Sequence, residues 1–314
     1  MTKAFLIITM LSCVLNSYSQ EFGTHWISYP IPNDSSEVLF SHVYTTFQRP
    51  RQAHLSFASS GKLKVYVNER NISANIYYQN PGSSTVCMYT YDITRFLRPD
   101  SNVISIWYAP QDGSDTSKQL SLDYYGIEAN GKPFFHKADG SWKCKILEGC
   151  YVKGSNETFD SRHYDRQWKA TDYNREEWAN PLGSCHLAHP YHVILYDIYD
   201  KRLVLSHVST PTSVSEGQHG LQYDFGKVFF GTPRITLREA KKGQTISVDG
   251  FNYICNGELD EQAYRRFSTI TSNSVTIYSD SHFKNSQITN IEALDYFLKR
   301  ESEFVKQDLT QSYP

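Results

Sequence analysis

The chain has no run of lysines and arginines, no C-x-x-C pair, no internal repeat and no low-complexity segment. A net charge of -2 and a pI near 6.6 exclude a polyanion-binding surface spread over the whole protein, though not a local basic pocket. Without C-x-x-C spacing a structural zinc site has no ligand pairs to start from, and nothing in the sequence implies a cofactor. Past the amino terminus no apolar stretch approaches ~20 residues, the length a membrane-spanning helix requires.

The amino terminus, "MTKAFLIITMLSCVLNSYSQ", places one lysine before an apolar stretch from Ala4 to Leu15, with small residues at Ser17 and Ser19. That pattern predicts a signal peptide over residues 1–19, cleaved before Gln20, and an exported protein, periplasmic or secreted. Met10-Leu11-Ser12 ahead of Cys13 fits a lipoprotein signal poorly. Without Cys13 the cysteines are Cys87, Cys144, Cys150, Cys185 and Cys255, an odd set, so at least one thiol is free or paired outside the chain. Cys144 and Cys150 flank "KILEG", a hairpin-like stretch that a short disulfide would close in an exported protein.

What is present is a β pattern. "QAHLSFASSGKLKVYVNERNISANIYYQ" alternates apolar and polar residues, and "NVISIWYAP", "YHVILYDIYDKRLVLSHVS", "TPRITLREAKKGQTISVDGFNYI" and "NSVTIYSDSHF" repeat the theme between turns marked by Gly, Asn, Asp and Pro. Short strands at this spacing predict an all-β protein of two jelly-roll-like sandwiches. The polar, turn-rich "ATDYNREEWANPLGSCHLAHP" sets the expected domains at 20–180 and 181–314. Only "NIEALDYFLKRESEFVKQ" reads as a helix, capping the carboxy terminus. Aromatics make up 14% of the chain, with 23 tyrosines, which suits strands and equally suits surfaces that meet sugar rings.

Several motifs occur in a recognisable order: "SSGKLKVYVNERNI", "MYTYDITRFLRPDSNVISIWYAP", "DGSWKC", "ETFDSR" and "YNREEWANP". They resemble the amino-terminal β-sandwich of bacterial α-L-rhamnosidases, where a "GEtYDAR"-like motif follows a "TDxSWK"-like one; here Glu157 to Arg162 match it. "YDFGKVFFGTPRITLREAKKGQTISV" is similar to the later sandwich of those enzymes. Rhamnosidases carry their catalytic carboxylates on a helical barrel that follows these sandwiches. The resemblance supplies no such carboxylate pair in this chain, and hydrolysis by that route needs one.

The resemblance implies that Asp160 and Arg162 form a paired structural element. It does not account for the rest of "NETFDSRHYDRQW", namely His163, Tyr164 and Arg166, nor for "CHLAHPYH" with His186, His189 and His192. Histidines at spacings of three suggest metal ligands, but the resembling family offers no metal precedent, and imidazoles serve as acid/base groups near neutral pH. Tyr223, Asp224 and Lys227 in "LQYDFGKVFFG", with Tyr253 and Glu258, are further candidates, each otherwise a strand residue facing solvent.

Histidine, tyrosine, lysine and arginine without a carboxylate pair suit β-elimination beside a carboxylate. The C5 hydrogen of a uronic acid becomes removable when cationic groups hold the carboxylate while charge builds on it. Arginine matches that planar group with two parallel hydrogen bonds. The expectation is therefore an oligosaccharide dehydratase resembling those of ulvan-degrading marine bacteria, acting on a non-reducing-end uronic acid linked to rhamnose. Arg162 or Arg166 would neutralise the carboxylate, His163, Tyr164 and His186 or His189 would transfer protons, and Tyr223 and Lys227 would contact substrate. The alternative is a non-catalytic carbohydrate-binding or accessory protein, stacking sugars on Trp107, Tyr108, Tyr124 and Tyr125. If residues 161–165 form a straight strand, His163 and Tyr164 point to opposite faces.

Overall fold

The computed structural model describes residues 25–31, 35–73, 85–111, 117–184, 192–194, 200–217, 220–280 and 283–301. A period of two governs the amino-terminal strands Ser36–Thr45, Lys62–Val67 and Ser101–Ala109, which lie side by side in antiparallel register. Phe40, Val65, Ile106 and Tyr108 enter one core, whereas Leu39, Tyr66, Trp107 and Ala109 enter the other. Burial on both faces explains why Ser101–Ala109 is covered along nearly its whole length. A sheet open on one side would alternate buried with exposed.

The first core is closed by a six-stranded sheet that includes Gln52–Ser59 and Gln119–Ile127. The largest sheet has fourteen strands among the described residues. It passes into the carboxy-terminal half where Asn156–Asp160 pairs in parallel with Phe251–Ile254. Beyond that point Gly220–Arg238, Ile270–Ser279 and Ile288–Glu301 continue it in antiparallel pairs. The architecture is all-β, and the helical elements among the described residues are 3-10 turns no longer than four residues.

The carboxy-terminal helix expected from "NIEALDYFLKRESEFVKQ" is corrected by the structure. Ile288–Glu301 is a strand, flanked by Asp200–Ser209 and Gly220–Arg238; residues 302–314 lie outside the described set. Its apolar spacing is compatible with either period, and strand partners on both edges decide the outcome. Arg234 Nε donates to Glu292 at 2.8 Å across one register pair, a contact that a helix would not make.

The Cys144–Cys150 disulfide is corrected as well. Both thiols are free and buried on one strand, Lys143–Lys153, with Cys144 in the first core and Cys150 in the second. Burial pushes the Cys144 thiol up to about 12 and that of Cys150 higher still. Cys87 lies in a strand without a described side chain, and Cys185 lies outside the described residues.

One buried carboxylate joins the two halves. Glu157, fully covered, accepts backbone N–H groups of Arg266, Phe267 and Ser268 and the Ser268 hydroxyl, the last at 2.7 Å. Lys62 Nζ, on strand Lys62–Val67 of the amino-terminal half, reaches the Phe267 carbonyl at 2.8 Å. Substitution Glu157→Gln turns an amide donor toward those N–H groups, and equilibrium urea unfolding should show a loss of about 3 kcal/mol. A loss below about 1 kcal/mol would contradict this linkage. In the native protein Cys144, Cys150 and Cys255 should resist a thiol reagent until denaturant is added, since the thiolate is the reactive form; modification of Cys150 under native conditions would contradict its placement.

Candidate functional site

The stretch "NETFDSRHYDRQW" leaves the sheet at Asp160. Its carboxylate caps a 3-10 turn, Ser161–His163, by accepting the Arg162 N–H, and Asp165 caps a second, Arg166–Lys169, by accepting that of Gln167. The chain is therefore bent, and the bend divides the candidates. Arg162 turns back on Asp160 with Nε at 2.9 Å and Nη2 at 2.6 Å from the two carboxylate oxygens. His163 lies on the same side, 3.8 Å from Asp160 and 3.6 Å from Glu148. Burial works against ionisation of Asp160, but the hydrogen bonds from Arg162 outweigh it and hold the carboxyl below the usual range. Gly149, at φ +70°, makes this packing possible, since a Cβ there would come within 2.7 Å of the Asp160 Cβ.

Tyr164 and Arg166 face the other way, into a cleft of about 500 Å³ between the two halves of the chain. Strand Lys62–Val67 contributes Lys64 and Tyr66, the bent segment adds Lys169, and the strand Asp260–Tyr264 with the turn after it adds Tyr264 and Arg266. Trp107 is the floor. Its ring stacks on Tyr164 at 5.1 Å, meets Phe267 edge-on at 5.3 Å and lies 5.3 Å from the Lys64 ammonium. Its indole N–H donates to Glu37 at 2.6 Å.

Two anchors fix the walls. Arg175, almost wholly buried, donates to the Trp168, Ala170 and Tyr173 carbonyls and to the Ser41 hydroxyl, pinning the bent segment against strand Ser36–Thr45. Glu261 accepts the Tyr253 hydroxyl at 2.9 Å, the Ser161 hydroxyl at 3.2 Å and the backbone N–H groups of Asn256 and Gly257. The turn after Asp160 is thereby held against the carboxy-terminal strands.

Charge in the cleft is unevenly distributed. Arg166 is paired with Glu258 at 2.8 Å near the surface. The Arg266 guanidinium instead packs over the Phe159 ring at 4.5 Å and the Tyr264 ring at 3.3 Å, donating to the Tyr264 and Gln262 carbonyls without a carboxylate partner among the described residues. Lys64 is half-buried in the cleft wall, and its ammonium has no hydrogen bond or ion pair among the described residues. Burial, followed by the Arg266 charge, brings it down to about 7 against the pull of Glu157 and Glu37. Beneath it, burial and the nearby Glu157 push Glu37 up to about 8, so Glu37 retains its proton at neutral pH. Burial also raises the Tyr164 phenol and keeps it protonated.

The sequence-derived candidates thus fall into separate places. Tyr164, Arg166 and Tyr253 line the cleft, and Glu258 pairs with Arg166. Arg162 and His163 gather at Asp160 outside it. Tyr223 is paired in register with Val275 and packs against the second core, Lys227 is exposed in the bulge that follows Asp224, and neither lines the cleft. His186 and His189 lie outside the described residues. Lys64 and Arg266, which carry most of the unusual electrostatics, were not among the candidates. Their signals are "KLKVYV", which puts Lys62, Lys64 and Tyr66 on one face, and the adjacent arginines of "YRRFS". Trp107, Tyr108 and Tyr124 are buried, so they present no flat strip for stacking sugars. Among the described residues no group of three His, Cys, Asp or Glu is placed to hold a metal ion.

No family model matches the chain. Over 264 residues it is 24% identical to an α-L-rhamnosidase of Alteromonas sp. (strain LOR), covering 74% of this chain and 27% of that protein. The α-L-rhamnosidase structure from Dictyoglumus thermophilum superposes with a TM-score of 0.75 at 17% identity, over 88% of this chain and 36% of that one. That of Aspergillus terreus gives 0.73 at 16%, over the same shares, and that of Streptomyces avermitilis, complexed with L-rhamnose, 0.71 at 17%, over 85% and 29%. The chain thus spans roughly a third or less of the length of the α-L-rhamnosidases it matches, and what it shares with the solved structures is their β-sandwich fold, without a helical barrel among the described residues.

Proposed function

We propose that the protein is a carbohydrate-active lyase that dehydrates the non-reducing-end uronic acid of oligosaccharides, with rhamnose-linked glucuronate or iduronate of the ulvan type as substrate. The observation that carries this reading is the half-buried Lys64, without a hydrogen bond or ion pair among the described residues, sharing one cleft with Arg266 and Tyr164. The fold likeness to α-L-rhamnosidases supports a sugar as substrate, and the concave basic lining suits a carboxylate.

The chemistry needs no redox partner. Lys64, neutral above about pH 7, takes the C5 proton. The C5–H electrons become the C4–C5 double bond, the C4–O bond breaks, and the protonated Tyr164 phenol gives its proton to the leaving hydroxyl, which departs as water. Arg266, with Arg166 at the mouth, holds the carboxylate while negative charge accumulates on it. These donors are preorganised because the guanidinium of Arg266 is already fixed by carbonyls and rings.

Incubation with oligosaccharides ending in glucuronate or iduronate should lower their mass by one water, without cutting the chain, and raise ultraviolet absorbance from the conjugated double bond. Activity should rise with pH through about 7 as Lys64 loses its proton. Lys64→Met should reduce the rate by roughly 10²–10⁴-fold and erase that limb of the profile, and Arg266→Lys should cost about 10²–10³-fold. Retained activity in Lys64→Met with loss in His163→Ala would move the chemistry to the Asp160 side. Binding without dehydration of any uronate-ended oligomer would leave a non-catalytic binding protein.

A further inference from the structure

A second concavity, about 760 Å³, opens on the amino-terminal sandwich, lined by strands Ser36–Thr45, Gln119–Ile127 and Pro133–Lys137 and the segments after them. It shares no lining residue with the basic cleft. Its size falls in the range of small-ligand sites, and its wall is aromatic with a few polar groups converging on it.

The rings form one continuous surface. Tyr124 contacts Tyr44 at 4.8 Å and Phe134 at 4.9 Å, and His136 lies 5.2 Å from Tyr44 and 5.9 Å, stacked, from Tyr124. His42 meets Tyr44 edge-on at 4.5 Å. At the lip Phe47 stands fully in solvent. The Tyr124 hydroxyl is buried and has no hydrogen-bond partner among the described residues, and a buried group left in that state calls for a specific explanation in a native protein. Burial holds His42 and His136 below the usual histidine range. At neutral pH each therefore offers one donor and one acceptor and no charge.

The charge content separates this pocket from the cleft. Among the described residues of its lining one cation, Lys137, is outnumbered by the two carboxylates Glu128 and Asp139, so no excess of positive charge awaits an anion. From the ring surface, the polar side chains that converge on it and this charge balance we infer that the pocket is a second carbohydrate site, accepting a neutral sugar residue. The apolar face of that residue lies on Phe134 and His136, backed by the buried Tyr124 ring, its hydroxyls meet His42, Asp139 and Asn130, and Phe47 closes over it. This site goes beyond the dehydration reading and stands independently of it.

The test is protein-observed NMR of the full chain titrated with L-rhamnose, D-xylose and D-galactose, with D-glucuronate as the charged comparator. The Trp142 indole, stacked on His42 at 5.7 Å, is the reporter. At least one neutral sugar should shift it, and His136→Ala and Phe47→Ala, both at exposed positions, should weaken that binding by about tenfold or more. Lys64→Met should leave it unchanged, and the two pocket variants should dehydrate short uronate-ended substrates at the wild-type rate. The inference is overturned if no neutral sugar shifts the reporter, if the pocket variants bind as wild type does, or if binding vanishes with Lys64→Met instead. Failure of dehydration with intact neutral-sugar binding would refute the cleft chemistry alone.

Discussion

The Glu157 carboxylate, stripped of water and saturated by three backbone N–H groups and one hydroxyl, is the interaction on which the cleft depends. It fastens the turn after Asp260–Tyr264 to strand Asn156–Asp160. That turn carries Arg266 into the cleft and sets Phe267 against Trp107. A buried carboxylate is tolerable only when its acceptors are filled this fully. Its charge then shapes its neighbours. Glu37, already penalised by burial, keeps its proton beside it, and Lys64 is left enclosed with too little nearby negative charge to hold its own proton firmly.

The cleft lies where it does because one sheet is covered on both faces. In "KLKVYV" the residues Leu63, Val65 and Val67 fill the amino-terminal core, as alternation demands. Lys62, Lys64 and Tyr66 project the other way, toward the carboxy-terminal half. Lys62 finds the Phe267 carbonyl, Tyr66 packs edge-on against Trp168 at 5.7 Å, and Lys64 has no hydrogen bond or ion pair among the described residues. Three polar side chains on a strand ordinarily mark a solvent face; here they line a seam.

That seam explains what was legible in the sequence. Alternation and turn residues gave the all-β class directly, since both act through local backbone geometry. The density of charge in "NETFDSRHYDRQW" pointed to the right neighbourhood, and Tyr164 and Arg166 do line the cleft. Lys64 and Arg266 escaped because their character comes from residues distant in sequence: Lys64 is desolvated by a half of the chain that begins a hundred residues later. Ile288–Glu301 misled for the same reason, as strand partners from both sides overrode a pattern that also fits a helix. The cysteine pair looked close only along the chain, whereas the strand sends one thiol into each core.

The central claim is that the basic cleft holds a uronate with its C5 hydrogen turned to Lys64. A crystal structure of the Lys64→Met protein with an unreacted uronate-terminated disaccharide tests it most directly. The account predicts the carboxylate against the Arg266 guanidinium, C5–H facing residue 64, and the C4 hydroxyl within hydrogen-bonding reach of Tyr164. A terminal uronate bound at Asp160 and Arg162, or with its carboxylate turned away from Arg266, would contradict it.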